Sequence, residues 1–116
     1  MKKLIVFILL FTSILTFSEL KDGTYSVKKK YDGNYTTFVK LIVKKNKVIG
    51  VQYDKKNSQG KLYSIDNPSF RDQSLAISRK FINTQNTKDI SDSKFKELVN
   101  FLIQKANNGQ TGEFEK

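Results

Sequence analysis

The sequence predicts an α+β domain: an antiparallel sheet of three to four strands, followed by two helices packed on one of its faces. Three observations carry this. Between Thr24 and Asp54, apolar and polar residues alternate with a period of two, broken by two turn signals. From Asn67 onward the apolar spacing lengthens to that of a helix, in two separate stretches. All the strand-like segments come first and all the helix-like ones after, an order that fits α+β rather than alternating α/β architecture.

The first strand covers Thr24–Tyr31, with Tyr25, Val27, Lys29 and Tyr31 on one face. Asp32-Gly33-Asn34 turns the chain into a second strand, Tyr35 to Lys44. Its faces carry Tyr35, Thr37, Val39, Leu41 and Val43 on one side and Thr36, Phe38, Lys40, Ile42 and Lys44 on the other. Lys45-Asn46 makes a tight turn, asparagine tolerating a positive φ. The third strand, Lys47 to Asp54, sets Ile49, Val51 and Tyr53 opposite Val48 and Gln52, and Gly50 signals a bulge or a close backbone approach. Lys55 to Asp66 reads as a polar loop with a short extended piece at Lys61–Ser64.

Asn67-Pro68 starts the first helix, with asparagine as N-cap and proline in the first turn. Phe70, Ile77 and Phe81, flanked by Leu75 and Ile82, form its apolar stripe. After a polar connection, Ser91-Asp92 starts the second helix, the acid suiting the positive end of its dipole. Phe95, Leu98, Val99, Leu102 and Ala106 give it a continuous buried face, and Gly109 caps its end. Gln110 to Lys116 reads as a frayed polar tail.

The start of the chain has a different character. Lys2 and Lys3 precede an apolar run from Leu4 to Phe11, extended by Ile14, Leu15 and Phe17. The run of about fourteen residues suits a secretory signal peptide and falls short of the roughly 20 that span a bilayer as a helix. Ser18 offers a small residue for cleavage before Glu19. The expected organisation is a signal peptide, 1–18, and one domain, 19–116, exported to a periplasm or secreted. Membrane association is expected only through an uncleaved signal segment.

Once Lys2 and Lys3 are removed, 19 basic and 11 acidic residues leave the domain at +8. Such a charge favours anionic partners, and export argues against nucleic acid as one. With no histidine and no cysteine, disulfides, most zinc sites, Ser-His-Asp triads and Cys-His dyads cannot be built. No catalytic constellation, metal site or glycine-rich phosphate loop is present, so any redox chemistry must reside in a cofactor. Asp54 and Asp66 could serve as a carboxylate pair, but nothing in their spacing brings them face to face.

Several segments carry a resemblance. Lys21-Asp22-Gly23-Thr24-Tyr25 opens the domain, the hairpin Phe38–Val51 follows, and Tyr53-Asp54, Asn57 and Gly60-Lys61-Leu62 precede the first helix. Together with Lys105-Ala106-Asn107-Asn108-Gly109-Gln110-Thr111, this order resembles the FMN-binding domain of exported bacterial flavoproteins. The branch it is most similar to is that of surface lipoproteins in extracellular electron transfer. The resemblance runs from Leu20 to Thr111. It implies an FMN carrier that works with a redox partner protein and is not an enzyme on its own. Lys61 and Arg71 would serve the phosphate, Tyr53 and Tyr63 the ring, and Asn57 and Gly60 hydrogen bonding and close approach. In that family FMN is joined to a hydroxyl that follows a Gly-Ala pair just before the last helix. Here no glycine precedes an alanine, and Thr87, Ser91 and Ser93 lack that context. FMN, if bound, is therefore expected to be non-covalent. The alternative is a flavin-free module that binds a protein or an anionic polymer through basic strands carrying Lys28, Lys29, Lys30, Lys40, Lys44, Lys45 and Lys47.

Overall fold

The computed structural model describes residues 19–116; the signal peptide expected at 1–18 lies outside the described residues. The elements are β1 (Gly23–Asp32), β2 (Tyr35–Lys44), β3 (Lys47–Lys56), α1 (Tyr63–Asp66), α2 (Pro68–Thr84), α3 (Ser93–Asn107) and β4 (Gly112–Glu115). They form one four-stranded sheet of order β3-β2-β1-β4, with α2 against β3 and α3 across β1 and β2.

The meander follows the predicted alternation. Tyr25 pairs with Leu41 and Val27 with Val39, and Val39 in turn faces Tyr53. All five are buried under the helices, which is what a period of two produces when one face of a sheet is covered. The turn between β2 and β3 places Lys45 at φ 52° and Asn46 at φ 61°, the pair of left-handed residues that matches a two-residue hairpin to strand twist.

Beside Gly50 the register shifts: Ile42 pairs with Gly50, but Val43 pairs with Val48. The extra residue is Ile49, so a bulge inverts the faces there. Val48 turns into the core with Val51 and Tyr53, whereas Ile49, assigned to their face by simple alternation, is 52% exposed. Ile42 lies over Gly50, its side chain 3.2 Å from where a Cβ would stand.

The last helix matches its predicted stripe residue for residue: Phe95, Leu98, Val99, Leu102 and Ala106 are all buried. Burying one leucine-sized side chain is worth about 1.5–3 kcal/mol, so this stripe anchors the helix. Asp92 is its N-cap, accepting from the Phe95 N–H at 3.1 Å. Gly109, at φ +68°, ends it and donates to the Ala106 carbonyl.

Three segments differ from the sequence reading. Lys61–Ser64 is not extended; Tyr63–Asp66 forms one helical turn, tied to β3 by Asp54, whose carboxylate accepts from the Ser64 N–H and hydroxyl. On α2, Phe81 is buried, but the other buried positions are Ser74 and Ser78, and Leu75 faces outward. The small serines let the helix approach β3, where the Ser74 hydroxyl donates to the Tyr53 carbonyl. The tail is not frayed: Gly112–Glu115 pairs parallel to β1 from Tyr25 to Lys28, making the sheet mixed. Phe114 packs edge-on to Phe101 of α3 at 5.9 Å, which holds the short strand in place.

Two polar devices close the edges. Gln85, at the end of α2, pairs with exposed β3 like a peptide unit: its side chain accepts from the Val48 N–H at 2.8 Å and donates to the Val48 carbonyl at 2.9 Å. Glu97 of α3 accepts from Lys29 Nζ, Tyr31 Oη and Lys116 Nζ at 2.7–2.8 Å. It thereby joins β1, α3 and the residue after β4.

Candidate functional site

The outer ends of β2 and β3 and the beginnings of α2 and α3 surround a cleft of about 360 Å³. Sheet alternation brings Thr37, Tyr53 and Lys55 to its floor, Phe70 and Gln73 come from the first turns of α2, and Asp92, Ser93 and Lys94 open α3. An aromatic wall begins in the core at buried Phe95 and passes beside the cleft, which Tyr53 and Phe70 border directly. The Phe95 ring lies 5.1 Å from Tyr53, Tyr53 lies 6.0 Å from Phe70, Phe70 lies 5.1 Å from Tyr63, and Tyr63 lies 5.1 Å from Tyr35.

Lys55 reaches over this wall. Its ammonium stands 4.2 Å from the Tyr63 ring centre, 5.3 Å from Tyr35 and 5.7 Å from Phe70. Ring faces attract a cation at these distances, so the charge is held at the cleft rather than released to solvent. Lys94 sits 5.2 Å over the Tyr31 ring on the other side. Between them the Tyr53 hydroxyl donates to both oxygens of Asp92. Burial, then the Asp92 charge and hydrogen bond, push the Tyr53 phenol well above its ordinary range. The shift favours the protonated phenol, which is the form that donates to Asp92. The Asp92 carboxylate already caps the start of α3, so the charged groups the cleft presents are this one acid and the ammonium groups of Lys55 and Lys94.

The residues singled out in the sequence do not converge on one pocket. Tyr53 is 6% exposed, with its ring in the core and its hydroxyl at the cleft. Tyr63 belongs to the aromatic wall beside it. Asn57 builds a turn: its side-chain oxygen accepts from the Gln59 and Lys61 N–H groups, both at 2.9 Å. Gly60, in the same turn, takes φ +81° and borders a different depression. Lys61 pairs with Asp66 at 2.6 Å, and that hydrogen bond and charge hold its ammonium above its ordinary range. Arg71 lines a cavity of about 200 Å³ between β3 and α2.

Among the three hydroxyls near the last helix, Ser93 borders the cleft, Thr87 borders a groove at the far end of the domain, and Ser91 is exposed. Asp54 and Asp66 are each engaged elsewhere, with Ser64 and Lys61 respectively. Sequence reasoning missed Thr37, Lys55, Phe70, Gln73, Asp92 and Lys94 as site residues. The signal for Lys55 was present, since it shares odd parity with Tyr53 and Tyr35 pairs near it on the same face.

The uncovered face of the sheet holds another depression, of about 830 Å³, bordered by Lys28, Phe38, Lys40 and Lys56 and by Glu113 and Glu115 of β4. Lys56 lies 5.0 Å over the Phe38 ring. Lys29, grouped in the sequence with a basic face, turns instead to Glu97 on the helix side.

No family model matches the chain, and no curated protein is similar to it. Two solved structures are similar in fold. The crystal structure of the CPE2226 protein from Clostridium perfringens is 19% identical, with a TM-score of 0.72 over 84% of this chain and 97% of that one. A solution structure of a protein from Clostridium thermocellum is also 19% identical, with a TM-score of 0.50 over 81% of this chain and 95% of that one. Both likenesses are of fold.

Proposed function

We propose that this chain is an exported, FMN-binding-like electron carrier that holds FMN non-covalently in the cleft between β3, α2 and α3. One observation carries the reading: the cleft opens at the start of the last helix, beside Ser93, the neighbourhood in which the resembled family attaches its flavin. It combines an aromatic wall with two fixed ammonium groups. Its volume lies in the range of small-ligand sites, and its lining is more polar than most, with Thr37, Lys55, Gln73, Asp92, Ser93 and Lys94 beside Tyr53 and Phe70. Phe70, backed by Tyr63, would pack against the ring, the Tyr53 hydroxyl would meet its polar edge, and Lys94 and Lys55 would serve the phosphate. The isoalloxazine supplies the electron transfer when bound. The protein binds, orients and shields it, and a separate reductase and acceptor complete the path. Lys61 and Asn57 support this reading only as the turn that sets α1, and hence Tyr63, in place.

A second reading is favoured by the partners already made within the chain. Tyr53 with Asp92, Asn57 with its turn and Lys61 with Asp66 are satisfied as they stand, as in a flavin-free module that keeps the scaffold. The spectrum of the protein purified from the exported fraction, taken before and after acid precipitation, separates the two. Yellow colour released to the supernatant supports the carrier. Colour retained in the precipitate would mean covalent FMN, against the missing Gly-Ala context. A colourless protein that takes up no added FMN leaves the flavin-free module.

A further inference from the structure

The β2–β3 hairpin end of the domain carries a pattern that the cleft does not use. Lys44, Lys45 and Lys47 crowd within four residues around the turn, and Lys44 and Lys47 are direct cross-strand partners. Like charges set opposite one another in a sheet destabilise it. Among the described residues no carboxylate forms an ion pair with any of the three. Just behind them stand two large apolar side chains turned to solvent, Ile42 at 42% and Ile49 at 52% exposure. Ile49 is exposed only because the bulge expels it from the core, so the bulge creates this surface.

The same end receives the beginning of the domain. The Leu20 N–H donates to the Asn46 side chain at 2.6 Å, and the Lys45 N–H donates to Asp22 at 2.9 Å. A mainly apolar groove of about 560 Å³ lies alongside, bordered by Leu20, Lys47, Phe81 and Ile103. The apolar run of the chain ends at Phe17, and the three steps from there to Leu20 reach at most about 11 Å.

We infer that this hairpin end docks on an anionic phospholipid surface. The three lysines meet the headgroups, and Ile42 and Ile49 enter the boundary below them. Basic residues next to apolar ones are the composition that lipid-surface binding selects, each lysine adding attraction that falls off within a Debye length. The contact proposed is peripheral, made by the hairpin end; among the described residues no helix is long and apolar enough to cross a membrane. It orients the domain with β2 and β3 running away from the lipid, and the cleft, at the opposite ends of those strands, faces the aqueous side. The inference is independent of the flavin reading.

The test uses the chain from residue 19, which carries every strand and helix described, with vesicles of phosphatidylcholine containing phosphatidylglycerol or lacking it. Sedimentation is expected only with the anionic vesicles and is lost on raising salt. Lys44→Glu/Lys47→Glu is expected to weaken binding at least tenfold. Lys28→Glu/Lys56→Glu, which changes the charge equally at the other end of the strands, is expected to weaken it less than threefold. The chain has no tryptophan, so Ile49→Trp gives a single reporter whose emission shifts to the blue on the anionic vesicles. No binding to the anionic vesicles overturns the inference. Equal losses in the two double variants overturn it in favour of net charge alone. Binding of inorganic polyphosphate as tight as that of vesicles, with no shift at Trp, overturns it in favour of a soluble polymer.

Discussion

The Tyr53 hydroxyl donates to the Asp92 carboxylate, 3.0 Å from Oδ2, while the same carboxylate accepts the Phe95 N–H at 3.1 Å. One side chain thus caps α3 and fastens it to β3. Removing the hydroxyl with Tyr53→Phe deletes one hydrogen bond and should cost about 1 kcal/mol. Asp92→Ala removes the cap and leaves a poorly solvated phenol without its acceptor, so it should cost more, about 2–3 kcal/mol. Urea unfolding of both variants checks the order; a Tyr53→Phe loss larger than that of Asp92→Ala would contradict it.

Glu97 predicts an acid limit. Hydrogen bonds from Lys116, Lys29 and Tyr31 hold its carboxyl down at about 2, against an ordinary 4.5. A depressed folded-state value means that its contribution is present above about pH 4.5 and is lost as the pH falls toward 2. Stability measured against pH should therefore drop through that window in the parent chain, and Glu97→Gln should flatten that part of the drop. An equally steep acid drop in the variant would show that other carboxylates carry it.

Gly60 tests the turn before α1. At φ +81° it occupies backbone space that L-residues avoid, yet a Cβ there would meet nothing within 4 Å. The cost of Gly60→Ala is then conformational alone, about 1–2 kcal/mol, and Gly60→Asn should cost less because asparagine tolerates the left-handed region. Equal thermal shifts in the two variants would argue that the turn relaxes rather than strains.

Gln85 tests edge protection. Its amide occupies both backbone groups of Val48 on the outer strand. Gln85→Ala leaves them open beside exposed Ile49 and should both lower stability by about 1–2 kcal/mol and raise aggregation on partial unfolding. Light scattering during a thermal ramp would show it; unchanged scattering would mean that the bulge alone protects this edge.

The limits of legibility follow from the range of the interactions. The meander and the α3 stripe could be read because alternation and helical spacing are local patterns, and both were right to within a few residues at their ends. The face of Ile49 was misread because one extra residue at a bulge inverts everything beyond it, although Gly50 marked the place. β4 was invisible because Gly112–Glu115 has no strand pattern of its own; its parallel pairing with β1 depends on α3 delivering Phe114 next to Phe101. The cleft was half legible. Tyr53 could be named, but Lys55, Phe70 and Lys94 become site residues only when strand ends and helix starts meet.

The most direct test of the carrier reading is an FMN titration of the chain from residue 19, followed by calorimetry and by flavin fluorescence, alongside Phe70→Ala and Lys94→Glu. The account predicts one-to-one, saturable binding, weakened about tenfold or more by loss of the Phe70 wall and again by reversal of the Lys94 charge. No heat and no fluorescence change in the parent chain, or binding indifferent to both substitutions, would contradict it.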